Sequence, residues 1–140
     1  MKKIMAMFLC AILTIAVAVP AFAGYGNTDF SYTYTDDKTT VGLATAQKND
    51  NQQYWFLTLK SVSSTSTTTG PSSTNIFGGR PKVGSTFGSS YYIWTGPVSK
   101  KQYRYTENLV SQDTSVTFRG KKDDTSSSSK NLKVVGVFCP

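Results

Sequence analysis

The sequence predicts an all-β protein, a β-sandwich (alternatively a small barrel) of about six to eight short antiparallel strands behind a cleaved N-terminal signal helix. From Gly24 onward the chain is rich in Ser, Thr, Gly, Tyr and Phe, and Glu107 is its only glutamate. β-Branched and aromatic residues therefore abound where helix formers are missing. Several stretches alternate large apolar with small polar residues, the period of a strand that buries one face. Clusters of Gly, Pro, Asn and Asp separate these stretches and read as turns.

The elements follow in order. Lys2 and Lys3, an apolar run from Ile4 to Val19, and Ala21-Phe22-Ala23 form an export signal over residues 1–23, which leaves a single domain over 24–140. That run is shorter than the roughly 20 residues of a membrane-spanning helix, so no span is expected in the mature form. Phe30, Tyr32 and Tyr34 alternate along the first strand, and Asp36-Asp37-Lys38 turns the chain. Thr39 to Gln47 is a second extended segment, closed by Lys48-Asn49-Asp50-Asn51. Gln53 to Val62 reads as the central strand, with Trp55, Leu57 and Leu59 on one face and Tyr54, Phe56, Thr58 and Lys60 on the other. Ser61 to Thr74 is of low complexity, an edge strand running into a loop. After Asn75-Ile76-Phe77, the run Gly78-Gly79-Arg80-Pro81-Lys82 reads as a turn or loop tip. Tyr91 to Thr95, Lys101 to Asn108 and Ser115 to Gly120 are further strands. Lys121 to Lys130 is a polar loop, and Leu132 to Cys139 is expected to pair with Val116–Phe118 as a hairpin.

Charge and composition narrow the chemistry. Losing Lys2 and Lys3 with the signal lowers the net charge from +7 to +5, which favours anionic partners through field. The basic residues are scattered, so nucleic acid is not an expected partner. The chain contains no histidine, which excludes the usual Ser-His-Asp and Cys-His mechanisms and Cys/His zinc sites. Asp36-Asp37 and Asp123-Asp124 lack the alternating oxygen ligands of a calcium loop and read as turns. No phosphate-binding glycine loop is present. The expectation is therefore no enzyme, no metal and no cofactor; Glu107 and Asp113 are the acids whose replacement would test it.

Aromatic residues are the positive signal. Most serve a core that no internal disulfide can staple, because Cys10 leaves with the signal and Cys139 stands alone. Tyr91, Tyr92, Trp94, Tyr103 and Tyr105, interleaved with Lys100, Lys101 and Arg104, form the one cluster that is both aromatic and basic. This cluster is the candidate ligand-binding surface. Cys139 is either a small buried hydrophobe or, if exposed, the link of a covalent dimer.

Some of these residues carry a resemblance. The opening Phe30-Ser31-Tyr32-Thr33-Tyr34, the Trp55 strand, Val116-Thr117-Phe118-Arg119-Gly120, a Ser-rich loop and the closing Val135-Gly136-Val137-Phe138-Cys139-Pro140 resemble small uncharacterised secreted β-proteins of Gram-positive bacteria. Some of those are similar to lactococcin-972-type bacteriocins. The resemblance implies a β-sandwich and an extracellular role, and no catalytic residues. The expected function is non-enzymatic binding at the cell envelope, with an anionic envelope component or another extracellular protein as partner. The alternative is a bacteriocin-like effector or its immunity partner. The expected oligomeric state is a monomer or a Cys139-linked dimer.

Overall fold

The computed structural model describes residues 26–35, 39–64, 76–123 and 131–140. The export signal, the Asp36-Asp37-Lys38 turn, most of the Thr/Ser-rich segment and the Ser126–Ser129 loop lie outside the described residues. The described chain is all β, with nine strands: β1 (Thr28–Tyr34), β2 (Val41–Gln47), β3 (Tyr54–Ser64), β4 (Phe77–Val83), β5 (Thr86–Phe87), β6 (Tyr92–Trp94), β7 (Val98–Arg104), β8 (Ser115–Lys122) and β9 (Leu132–Cys139). Among the described residues no helix is long and apolar enough to cross a membrane.

The strands form two antiparallel sheets and close no barrel. The first sheet runs β1-β9-β3-β7. The second runs β2-β8-β4, and the far edge of β4 is shared by β5 at Lys82–Val83 and β6 at Phe77–Gly79. Strand β3 is interior, as its alternation predicts: Trp55, Leu57 and Leu59 are fully buried. A bulge between Leu59 and Ser61 shifts that alternation by one residue and brings Val62 inward. From the second sheet, Ala44, Phe77, Trp94, Val116 and Phe118 complete one core cluster. Its centre is aromatic. Phe118 stacks on Phe138 at 5.3 Å and meets Phe30 at 5.8 Å and Trp55 at 5.9 Å.

Three expectations are corrected. The strands number nine, because two short ones, β5 and β6, fill the β4 edge. Gly78 to Lys82 is not a loop tip but the body of β4, paired residue by residue with β8. Its glycines serve close approach: a Cβ on Gly79 would stand 2.6 Å from the Arg119 carbonyl oxygen and 3.0 Å from the Phe118 ring. Finally, β8 and β9 form no hairpin, because β8 lies between β2 and β4 while β9 lies between β1 and β3. The buried stripes, Val116 and Phe118 on β8 and Leu132, Val134 and Phe138 on β9, meet across the core rather than side by side.

Candidate functional site

Strands β6 and β7 belong to different sheets, and this divides the predicted aromatic and basic cluster. The i, i+2 spacing of Tyr92/Trp94 and of Tyr103/Tyr105 is the inward stripe of each segment. Trp94, Tyr103 and Tyr105 are therefore buried, at 7%, 6% and 4% exposure, and form core rather than an exposed platform. Trp94 Nε1 donates a 2.7 Å hydrogen bond to the Tyr103 hydroxyl. The Tyr103 ring stacks on Trp55 at 4.4 Å, and the half-buried Tyr92 closes the group at 4.7 Å from Tyr103. Burial raises the Tyr105 hydroxyl well above the ordinary tyrosine range. Its ring lies 5.4 Å from the ammonium of Lys48, itself buried and paired with Asp50 at 2.9 Å.

The basic members stay exposed outside this buried group. Lys100 sits over Phe56 at 5.1 Å, Lys101 lies 5.7 Å from the Tyr103 ring, and Arg104 is exposed. Cys139 is a buried free thiol, the small-hydrophobe reading. Desolvation pushes it up to about 11, against lowering by Lys100 and Lys48. The sulfur lies on the outer side of its sheet, at a groove lined by Asn27, Phe56, Thr58, Lys100 and Val137. Glu107 and Asp113 are exposed in the loop between β7 and β8. Among the described residues no three Cys, Asp or Glu side chains converge as metal ligands.

Two members of the cluster reach grooves: Lys100 lines one on the first sheet with Phe56 and Cys139, and Tyr91 lines one on the second that is richer in positive charge. On β8 the buried residues are Val116, Phe118, Gly120 and Lys122, so Thr117, Arg119 and Lys121 face outward. On β4 the outward set is Gly78, Arg80 and Lys82. The register places Arg80 directly opposite Arg119, Lys82 opposite Thr117 and Gly78 opposite Lys121. A groove of about 350 Å³ opens here, lined by Thr40, Arg80, Phe87, Tyr91, Arg119 and Lys121. Among the described residues its lining holds no carboxylate, and Asp123 stands beside it. Tyr91 crosses over Gly78, where a Cβ would collide with its hydroxyl and ring.

Each cation in the groove is held in place. The Arg80 guanidinium lies over the Phe87 ring at 3.4 Å. Arg119 Nη2 donates to the Thr40 carbonyl at 3.0 Å. Lys121 stands 5.7 Å from the Tyr91 ring and pairs with Asp123 at 3.2 Å. Burial first, then the Asp123 charge, raises the Tyr91 hydroxyl, opposed by Arg80, so it stays a neutral donor at any physiological pH. Among the described residues no carboxylate pairs with either guanidinium. A second groove, lined by Gly42, Lys82, Gly84, Ser115, Thr117 and Arg119, shares Arg119 with the first.

The arrangement offers positive charge and hydrogen-bond donors, and so can hold an anion. Half of it was visible in sequence, because Arg119 alternates with the apolar Val116 and Phe118. Arg80 and Lys82 were hidden, because Gly-Gly and Pro81 mask β4 as a turn. Comparison of the chain with protein-family models, with curated proteins and with solved structures found no match.

Proposed function

We propose that this protein is an exported, non-enzymatic β-sandwich that binds an anionic component of the cell envelope with the outer face of its β2-β8-β4 sheet. One observation carries the reading. Arg80 and Arg119 stand directly opposite each other across β4 and β8, flanked by Lys82 and Lys121. Like charges directly opposite destabilise a sheet, and an anion bound between them relieves that cost. The export signal read in residues 1–23 and the net positive charge support an envelope partner.

The test is retention of the purified protein on isolated cell walls. Binding at low salt that is released at high salt, and that falls when Arg80 and Arg119 are both changed to Gln, supports the reading. Retention that ignores salt, or that survives the double change, refutes it. In the bacteriocin-like alternative the same face would serve attack on related cells, and growth inhibition by the purified protein would distinguish that use.

A further inference from the structure

We infer that the groove between Arg80, Arg119 and Lys121 is a discrete phosphate site, and that its ligand is an extended phosphodiester polymer. This rests on the reading above that the face binds an anionic envelope component.

The two central cations are arginines, and each is oriented by a separate anchor. Phe87 holds the Arg80 guanidinium over its ring at 3.4 Å, a contact with the face of the ring that uses none of the guanidinium N–H groups as a hydrogen-bond donor to oxygen. The bond from Arg119 Nη2 to Thr40 fixes the second guanidinium, and among the described residues no other acceptor engages it. A planar fork of this kind matches the paired oxygens of a phosphate, whereas an ammonium acts as a point charge. One guanidinium fork satisfies a planar carboxylate. Two forks from opposing strands, with Lys121 and the neutral Tyr91 hydroxyl beside them, suit a tetrahedral group that presents oxygens in several directions.

The polymer follows from continuity. The second groove carries the cationic path past Arg119 to Lys82, along the strands. Outward residues on a strand recur about every 6.7 Å, so the face presents a row of positive charge rather than one point. Gly42 and Gly84 leave room at its lower end, and a Cβ on Gly84 would meet nothing within 4 Å. A bilayer surface fits less well. Tyr91 and Ile93 are exposed beside β4, and Leu109 follows Asn108, which bonds the Phe87 carbonyl, but the cations line a groove rather than a convex tip.

The experiment is titration calorimetry on the purified protein in about 0.15 M salt, where the Debye length is about 8 Å and distant charge is screened. The probes are poly(glycerol phosphate), polyglutamate of equal charge, and phosphatidylglycerol vesicles. The variants are Arg80→Lys and Arg119→Lys, which conserve charge, and Lys133→Gln, which removes one exposed charge from the other sheet. The phosphate polymer is expected to bind at least about tenfold tighter than polyglutamate, and each Arg→Lys change to weaken it by about tenfold. Lys133→Gln should change it less than twofold, and unchanged urea midpoints will show that all variants are folded. Equal binding of both polymers, or wild-type binding by both lysine variants, overturns the phosphate site but leaves the anionic reading standing. Binding to vesicles without binding to the polymer overturns the polymer. Failure to bind any of the probes overturns both readings.

Discussion

Changing Tyr103 to Phe removes one oxygen and leaves the ring that stacks on Trp55 in place. That oxygen is the acceptor for Trp94 Nε1 at 2.7 Å, in a pair buried on all sides. The variant strands the indole N–H without a partner, which costs about 1–3 kcal/mol. For a domain of about a hundred residues each kcal/mol moves Tm by about 5 °C, so the expected fall is about 5–15 °C. Urea unfolding followed by fluorescence and circular dichroism should show a lower midpoint with an unchanged slope. Trp94→Phe strands the Tyr103 hydroxyl instead, so the double variant should cost less than the sum of the single ones by about 1 kcal/mol. An exposed aromatic platform makes the opposite forecast: both changes are nearly neutral in stability, and cell-wall retention falls. A Tyr103→Phe midpoint within about 0.3 kcal/mol of the parent would refute the assignment of this cluster to the core.

Other consequences follow from the same geometry. Gly136→Ala places a Cβ 2.5 Å from the Thr58 carbonyl oxygen and 2.6 Å from the Phe30 ring, and should cost about 1–3 kcal/mol by denaturant unfolding. Gly96→Ala, which meets nothing within 4 Å, should stay within about 0.5 kcal/mol. Cys139 is raised from 9.0 to about 11, and burial raises Tyr34 and Tyr105 as well. In each the folded pKa exceeds the unfolded one, so the unfolded chain releases its proton first. Stability from these groups is complete below about pH 9 and is lost as pH rises, through about 11 for the thiol. Urea midpoints measured from pH 7 to 11 should fall from about pH 9, and Cys139→Ala should move that onset upward toward the tyrosine range. Native protein at pH 8 should resist thiol reagents until it is unfolded.

The parts of the fold legible in sequence are those where alternation and turn chemistry agree. β3 is the clearest case, because Trp55, Leu57 and Leu59 share one face and are all fully buried. Phe30 and Tyr34 obey the same rule in β1, while Tyr32, on the same face, is 38% exposed at the sheet edge, with its ring 4.7 Å from Tyr34. Alternation reports which residues share a face, not which sheet a strand joins. That is why the β8–β9 hairpin was a reasonable expectation and the stripe-to-stripe packing of Phe118 on Phe138 was not readable. Gly-Gly and Pro in β4 carry the local signature of a turn, and only the rings and strand beside them make glycine necessary there. The candidate site suffered twice from this. Reading β6 and β7 as one surface joined aromatics that point into the core, and reading β4 as a loop separated Arg80 from Arg119.

The outer faces of the two sheets handle charge in different ways. On the first sheet Lys60 meets Asp29 at 2.8 Å, and Lys100 lies over Phe56. On the second, β8 shows two solutions to a cross-strand pair on one face. Toward β2 it sets Thr117 opposite Thr45, hydroxyl to hydroxyl at 2.9 Å, which suits both strand propensity and cross-strand bonding. Toward β4, two residues further along, it sets Arg119 opposite Arg80. Folding alone favours the first solution at both places, since facing guanidinium groups repel and two long side chains lose rotamer freedom when anchored. Each cation is anchored on its own flank of the pair: Arg80 over Phe87 of β5, beyond β4, and Arg119 on the Thr40 carbonyl just before β2, beyond β8. On the function proposed above, an anion held between the two flanks is what offsets that cost, and neutralising either arginine should then stabilise the free protein while weakening its retention on cell walls.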